Sequence, residues 1–186
     1  MPIPWSSKKE CRSYYKSLCA QEFAQGLVHH QQQLNAHLIA FLLGQSGVWG
    51  AYRALSMEAN VDLVLGFEPL RWAFPRMKDG QLDFFETREF ELGPYGVLEP
   101  PQASAHHRGL SEISGLLIPG LSFNLNGIRL GKGKGFYDKT LSDYNGLKVG
   151  IAFDFQISAR PLPAEDHDIR MDYIITESGL IDCRKY

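Results

Sequence analysis

The sequence lacks any apolar run long enough to cross a bilayer. Its opening stretch, Met1-Pro2-Ile3-Pro4-Trp5-Ser6-Ser7-Lys8-Lys9-Glu10, lacks the apolar centre of a secretory leader. It is poor in cysteine: Cys11, Cys19 and Cys183 are an odd set of three with no Cys-x-x-Cys spacing, which excludes a disulfide framework and a thiolate zinc site. It also lacks an excess of either charge. The formal net charge of -2 gives no global attraction to nucleic acid or anionic lipid, so any anion site must be a local cluster of basic residues. Repeats, low-complexity tracts and linkers are missing as well. These absences predict a cytoplasmic protein with reduced cysteines and one domain spanning residues 1–186.

What is present is ordinary globular material: 44% hydrophobic and 22% charged residues among 186 are enough to build a core and argue against disorder. Ser7 followed by Glu10 has capping-box spacing. Cys11, Tyr14, Tyr15, Leu18 and Cys19 then form a helical stripe. Leu27, Leu34, Leu38, Phe41 and Leu42 predict a second helix, ending at the turn from Gly44 to Gly47. Beyond it, short apolar runs at 48–52, 70–74, 113–118, 149–153 and 173–176 read as buried strands. Helices are expected between them, at 57–65 and 136–142. Lys78-Asp79-Gly80 before 82–86 reads as one antiparallel excursion. The expected fold is α/β: a single-domain three-layer sandwich, Rossmann-like, with helices flanking a mostly parallel sheet.

Glycine concentrates late in the chain. Nine of the 18 lie between Gly109 and Gly150, and Gly131, Gly133 and Gly135 alternate with Lys132 and Lys134 just after Arg129. Glycine permits close backbone approach and positive φ. A turn of this kind points successive amides inward as an anion nest, to which the helix start at Phe136 would add positive potential. Arginine can grip two phosphate oxygens and lysines add mobile charge. The turn is not a Walker A loop, because both Gly-Lys pairs are followed by glycine. Nor is it a dinucleotide fingerprint, because position 136 is Phe. A solvated hairpin, supported by the Asn126-Gly127 turn signal, and a nucleic-acid loop with stacking aromatics are the competing readings.

Pro119-Gly120-Leu121-Ser122-Phe123, followed by Gly127 and the run Arg129-Leu130-Gly131-Lys132-Gly133-Lys134-Gly135-Phe136-Tyr137-Asp138, resembles the signature of the 5-formyltetrahydrofolate cyclo-ligase family. Lys8 with Arg12, the segment from Tyr52 to Glu58, Phe74-Pro75-Arg76, Tyr95 to Pro100, and Leu162 to Asp172 resemble further family segments in order. The sequence departs from the family pattern at Asn124, Lys132 and Phe136, where Asp, Arg and Tyr are commoner.

The resemblance implies conversion of 5-formyltetrahydrofolate and ATP to 5,10-methenyltetrahydrofolate, ADP and phosphate, with Mg2+. It implies ATP binding by Lys8, Lys9, Glu10, Cys11 and Arg12 and by the turn from Arg129 through Tyr137. It implies folate binding by Glu58, Tyr95 and the stretch Lys132 to Phe136, and catalytic roles for Arg129, Lys132 and Lys134. Asp138 and Asp168 are the implied Mg2+ ligands. By spacing alone, Lys8 and Arg12 read as solvated charges one helical turn apart, Glu58 as a helix-start acid below Ser56, and Tyr95 as a loop aromatic. His29-His30 and His106-His107 read as exposed pairs, the second in a loop. The expected partners are ATP and reduced folate, without nucleic acid or membrane, and the expected state is a monomer. A sugar-phosphate isomerase or CoA transferase on a related sheet would use the same turn without Lys8, Arg12 or ATP. A non-catalytic RNA-binding module would bind in a salt-sensitive way and turn nothing over.

Overall fold

The computed structural model describes residues 5–102 and 106–186. Its first helix, α1, spans Lys8–Ala24, and Ser7 caps it by accepting the Glu10 amide at 3.2 Å. Glu10 reaches back one residue further than a capping box requires and accepts the Ser6 amide at 2.8 Å. The second helix, α2, spans Val28–Leu42 and buries Leu34, Leu38 and Leu42 along one face. Each such leucine contributes about 1.5–3 kcal/mol through burial.

Strands β1 (Val48–Gly50), β2 (Arg71–Lys78), β3 (Gln81–Glu86) and the two-residue β4 (Glu91–Leu92) and β5 (Leu98–Glu99) follow. After them come β6 (His106–Arg108), β7 (Ile113–Pro119), β8 (Ser122–Phe123) and β9 (Arg129–Leu130), then the short helix α3 (Phe136–Thr140). Strands β10 (Leu147–Ile151), β11 (Tyr173–Thr176) and β12 (Gly179–Asp182) complete the chain. One eight-stranded sheet runs β12-β11-β10-β7-β1-β2-β3-β6. Its centre, from β11 to β2, is parallel, and β12, β3 and β6 are antiparallel additions at its edges. The expected excursion at residues 78–86 is the β2–β3 hairpin. Asp79 and Gly80 both take positive φ (48° and 80°) at its tip, as a tight right-twisting hairpin requires.

Alternating residues of the parallel strands feed two cores. Trp49, Phe74, Leu117, Val149 and Ile175 pack with the leucines of α2 on one face. Ala73, Leu116, Ile118 and Ile174 pack with Leu141 and Tyr144, just past α3, on the other. A third cluster joins α1 to the region beyond β7: Cys11 and Tyr15 pack on Leu121, Leu130 and Leu162. That seam fixes where the charged start of α1 lies.

The helix expected at 57–65 does not form. Only a 3-10 turn, Asp62–Gly66, is helical there. Side chains take up the backbone groups a helix would use: Leu55 N–H donates to Glu58 Oε2 (3.0 Å), Asp62 N–H to Asn60 Oδ1 (2.6 Å), and Tyr52 Oη to the Ala59 carbonyl (2.6 Å). Local side-chain bonds of this kind compete directly with helical ones. Both histidine pairs are exposed as expected, but His106 and His107 lie in the edge strand β6 rather than a loop.

Counting only parallel strands in chain order, the spatial order is second, first, third, fourth, fifth. This doubly wound arrangement has its topological switch between β1 and β7, and ligands of such sheets bind outside the carboxyl ends of the strands at that point.

Candidate active site

A cavity of about 490 Å³ opens at this switch point. Tyr52 and Glu58 reach it from the segment after β1, Pro119 and Gly120 from the end of β7, and Lys8 and Arg12 from the start of α1. The glycine turn between β9 and α3 supplies its floor. Gly133 and Gly135 there have φ of 99° and 70°, a region that disfavours side chains. Arg12 packs against Gly133 and donates through Nε to the Gly131 carbonyl at 3.1 Å. The first helix and the turn are therefore directly bonded.

Arg129 is held from two sides. Its Nη2 lies 3.0 and 3.2 Å from the Asp138 carboxylate oxygens, and its Nη1 donates to the Pro119 carbonyl at 3.3 Å. Its Nε is buried without a partner, and the guanidinium lies 5.2 Å from the Tyr137 ring centroid. Lys132 Nζ lies 2.6 Å from Glu58 Oε1, and Lys134 Nζ stands 5.0 Å from the Tyr95 ring centroid. Lys8 Nζ contacts both Asp168 oxygens, at 2.9 and 2.7 Å, and Glu165 at 3.1 Å.

These contacts set the protonation states. Burial alone would lower the Lys8 ammonium, but its bonds to Asp168 and Glu165 outweigh this and raise it. Burial would likewise raise Asp168, yet the bonds from Lys8 and the Glu165 amide bring it below the usual carboxylate range. Both ends of that pair are charged at neutral pH. Burial, reinforced by the Glu58 carboxylate, pushes the Tyr137 phenol well up, so it is neutral there.

Of the residues singled out in the sequence, Lys8, Arg12, Glu58, Tyr95, the whole stretch from Arg129 to Tyr137, Asp138 and Asp168 line this one cavity. Three do not. Lys9 and Glu10 are exposed on the far side of the helix start, and Cys11 is buried under α1 against Leu121 and its neighbours. Only every fourth residue of α1 can face the cavity, which brings in Lys8 and Arg12 and leaves the three between them out. The electrostatic contribution expected from the helix after the turn also falls away. Helix α3 has five residues, so the positive character rests on Arg129, the lysines and the turn's own amides.

Glu99 and Glu165 were not singled out from the sequence. Glu99 lines the cavity, is 3% exposed, and accepts the Met77 amide at 3.2 Å. Glu165 joins His167 and Asp168 in a cluster whose donor atoms lie within 4.8 Å of one another. Nothing in their spacing distinguishes them from surface acids. The carboxylates of Asp138 and Asp168 face the cavity and are hard oxygen donors. Oxygen donors of this kind suit Mg2+, which takes one or two carboxylates and fills its remaining positions with water and phosphate oxygens, but each is paired here with a cation, Asp138 with Arg129 and Asp168 with Lys8.

Residues 69–177 match the 5-formyltetrahydrofolate cyclo-ligase family. That stretch contains Tyr95, the glycine turn, Asp138 and Asp168, while Lys8, Arg12 and Glu58 lie before it. A 5-formyltetrahydrofolate cyclo-ligase of Escherichia coli is 40% identical over 100 residues, covering 52% of this chain and 54% of that one. One of Mycoplasma genitalium is 30% identical over 156 residues, covering 79% and 84%. Apart from such longer alignments, the chain spans about half the length of the curated relatives it matches. The fold is that of the Aquifex aeolicus 5,10-methenyltetrahydrofolate synthetase, with a TM-score of 0.79 at 24% identity over 95% of this chain and 93% of that one. On the matched stretch and on the Mycoplasma genitalium relative, the chain belongs to the 5-formyltetrahydrofolate cyclo-ligase family.

Proposed function

We propose that the protein converts 5-formyltetrahydrofolate and ATP to 5,10-methenyltetrahydrofolate, ADP and phosphate. The observation that carries this reading is that one cavity is lined by both kinds of group the reaction needs. Lys8, Arg12, Arg129 and the glycine turn supply cations and amides for phosphates. Glu58 and Tyr95, with apolar side chains from Pro75, Met77, Leu82 and Val97, suit a flat heterocycle with polar N–H edges.

The chemistry needs both sets of groups. The formyl oxygen takes the γ-phosphoryl group as its bond to ADP breaks, turning a poor amide leaving group into phosphate. N10 then attacks the formyl carbon, loses its proton, and phosphate departs as the ring closes. Arg129, Lys132 and Lys134 offset charge on the transferring group, and Lys8 and Arg12 hold the nucleotide's phosphates. Glu58 accepts N–H groups of the folate and Tyr95 stacks on its ring. Asp138 and Asp168 would hold Mg2+, which supplies charge neutralisation at the phosphate oxygens. Protein of residues 1–186 works in this reading as one domain and a monomer in the cytoplasm, with no nucleic-acid or membrane partner. Among the described residues no helix is long and apolar enough to cross a membrane.

The test is direct. Purified protein, ATP, Mg2+ and 5-formyltetrahydrofolate are mixed, and methenyl product is followed by its near-ultraviolet absorbance. Product should form at a rate proportional to protein and require ATP. A rate no higher than without protein rejects the reading.

A further inference from the structure

Five carboxylates line the cavity, and four of them already have a counter-charge. Glu58 pairs with Lys132, Asp138 with Arg129, and both Asp168 and Glu165 with Lys8. Glu99 is the exception. It is 3% exposed, yet among the described residues it forms no ion pair. Its Oε1 accepts the Met77 amide at 3.2 Å, and its Oε2 has no hydrogen-bond partner among the described residues. Arg76 is bonded instead to the Pro100 carbonyl, at 3.1 Å, and to Glu91, at 3.4 Å, which stands opposite Glu99 in the β4–β5 ladder.

The chain makes room for this acid. A Cβ at Gly93 would lie 2.6 Å from the Glu99 carboxyl carbon and 2.8 Å from its Cγ, so any side chain at 93 would displace it. Apart from Glu99 and Tyr95, the residues that the β2–β3 and β4–β5 hairpins bring to the cavity are Pro75, Met77, Leu82 and Val97, which are all apolar. Water-poor surroundings of this kind penalise a half-bonded carboxylate. Burial accordingly pushes the Glu99 pKa up, with Glu91 adding to it, against the lowering effects of the Met77 amide and Arg76. A strained acid in a cavity is a mark of function, and an N–H donor on a ligand would satisfy it. Phosphates bring no such donor. The reduced heterocycle of the folate carries several, and Tyr95, on the same hairpin, is the residue that stacks on it.

We propose that Glu99 is a second folate-binding carboxylate, whose unpartnered oxygen accepts an N–H of the reduced heterocycle while the Met77 amide holds the other oxygen. This rests on the folate reading of the cavity given above. A consequence follows that a purely structural acid would not show. Ligand N–H groups favour the ionised form, so folate draws the raised pKa of Glu99 back down. On the acid side of neutrality, where part of the free protein carries the proton, folate binding releases it, and affinity falls as pH falls. Nucleotide binding does neither.

Calorimetric titration of the full chain with 5-formyltetrahydrofolate, without ATP, tests this in buffers of different ionisation enthalpy at about pH 5.5 and pH 7.5. Wild type should release protons at the lower pH, where it should also bind more weakly. Glu99→Gln keeps an acceptor without the charge. It should bind folate about tenfold or more weakly than wild type at the higher pH, since a hydrogen bond to a charged group is lost. It should also release fewer protons at the lower pH and bind a non-hydrolysable ATP analogue as wild type does. Absence of proton release by wild type overturns the proposal, needs no variant, and leaves the substrates as assigned. Release unchanged in Glu99→Gln also overturns it, because another group then supplies the proton. Equal loss of folate and analogue affinity in the variant overturns it too, and makes Glu99 a support for the hairpin alone. Failure of wild type to bind 5-formyltetrahydrofolate overturns the substrate reading and the proposal with it.

Discussion

Arg129 and Asp138 close the glycine-rich turn on itself, with Nη2 of the arginine 3.0 and 3.2 Å from the two carboxylate oxygens. The turn is thereby tied at both ends before any ligand arrives. Asp138→Asn keeps the shape but leaves a nearly buried guanidinium without its counter-charge. The loss should be about 1–3 kcal/mol. For a chain of this size each kcal/mol lowers Tm by about 2–4 °C. The same variant should need more Mg2+ for half-maximal activity. Differential scanning calorimetry and a Mg2+ titration check the two parts separately. An unchanged Tm would show that the pair does not hold the turn.

Gly133 has φ of 99°, and a Cβ built there would lie 3.5 Å from the Arg12 guanidinium. The space is ordinary, so Gly133→Ala acts through the backbone. An L-residue in this region costs about 1–2 kcal/mol. The chain relieves that strain by shifting the turn, which moves the Gly131 carbonyl away from Arg12. The KM for ATP should therefore rise more than the KM for folate, as steady-state kinetics with each substrate varied in turn would read. Equal increases would mean that the turn serves both substrates alike.

The parts of this molecule legible in the sequence are those where a local rule has no competitor. Residues 113–118 and 173–176 are mostly apolar because strands in the middle of a sheet covered on both faces have little polar side to show, and both form strands where expected. The glycine turn was legible because positive φ at Gly133 and Gly135 demands glycine. Residues 57–65 misled, since the helix expected between two strands is overridden by the side chains of Asn60 and Glu58, which bond the local backbone. The two-residue strands β8 and β9 are too short to carry any period. Pairings such as Lys8 with Asp168, 160 residues apart, are set by the packing of α1 on Leu121, Leu130 and Leu162. The sequence stripe on α1 indicates that it packs without saying on what.

Glu99 is buried at the base of the hairpin that carries Tyr95, and a Cβ at Gly93 would lie 2.6 Å from its Oε2. Burial raises its pKa, against the lowering effects of the Met77 amide and Arg76. The folded state thus favours the protonated acid. Relative to a neutral side chain, this carboxyl costs nothing below the unfolded glutamate value of about 4.3, and stability is lost as pH climbs through the raised folded value. Glu99→Gln keeps an acceptor for the Met77 amide and removes the charge. It should match the parent at pH 4 and exceed it in urea midpoint at pH 7.5. A variant weaker than the parent at pH 7.5 would mean that the charge is needed, with Arg76 as its partner.

Lys134 separates binding from chemistry most cleanly, because among the described residues its ammonium forms no ion pair and stands 5.0 Å from the Tyr95 ring centroid. An exposed cation–π contact is worth about 0.5–1 kcal/mol, so Lys134→Ala should weaken folate by about two- to fivefold at most. A cation that neutralises charge only as the phosphoryl group transfers is worth far more, and kcat should fall by about 10²–10³-fold. Folate affinity from fluorescence titration and kcat from the absorbance assay would therefore part by more than an order of magnitude. If both fell by the same factor, the ammonium would be a substrate anchor in the ground state, and the charge on the transferring phosphoryl group would have to be met by Arg129 and Lys132 without it.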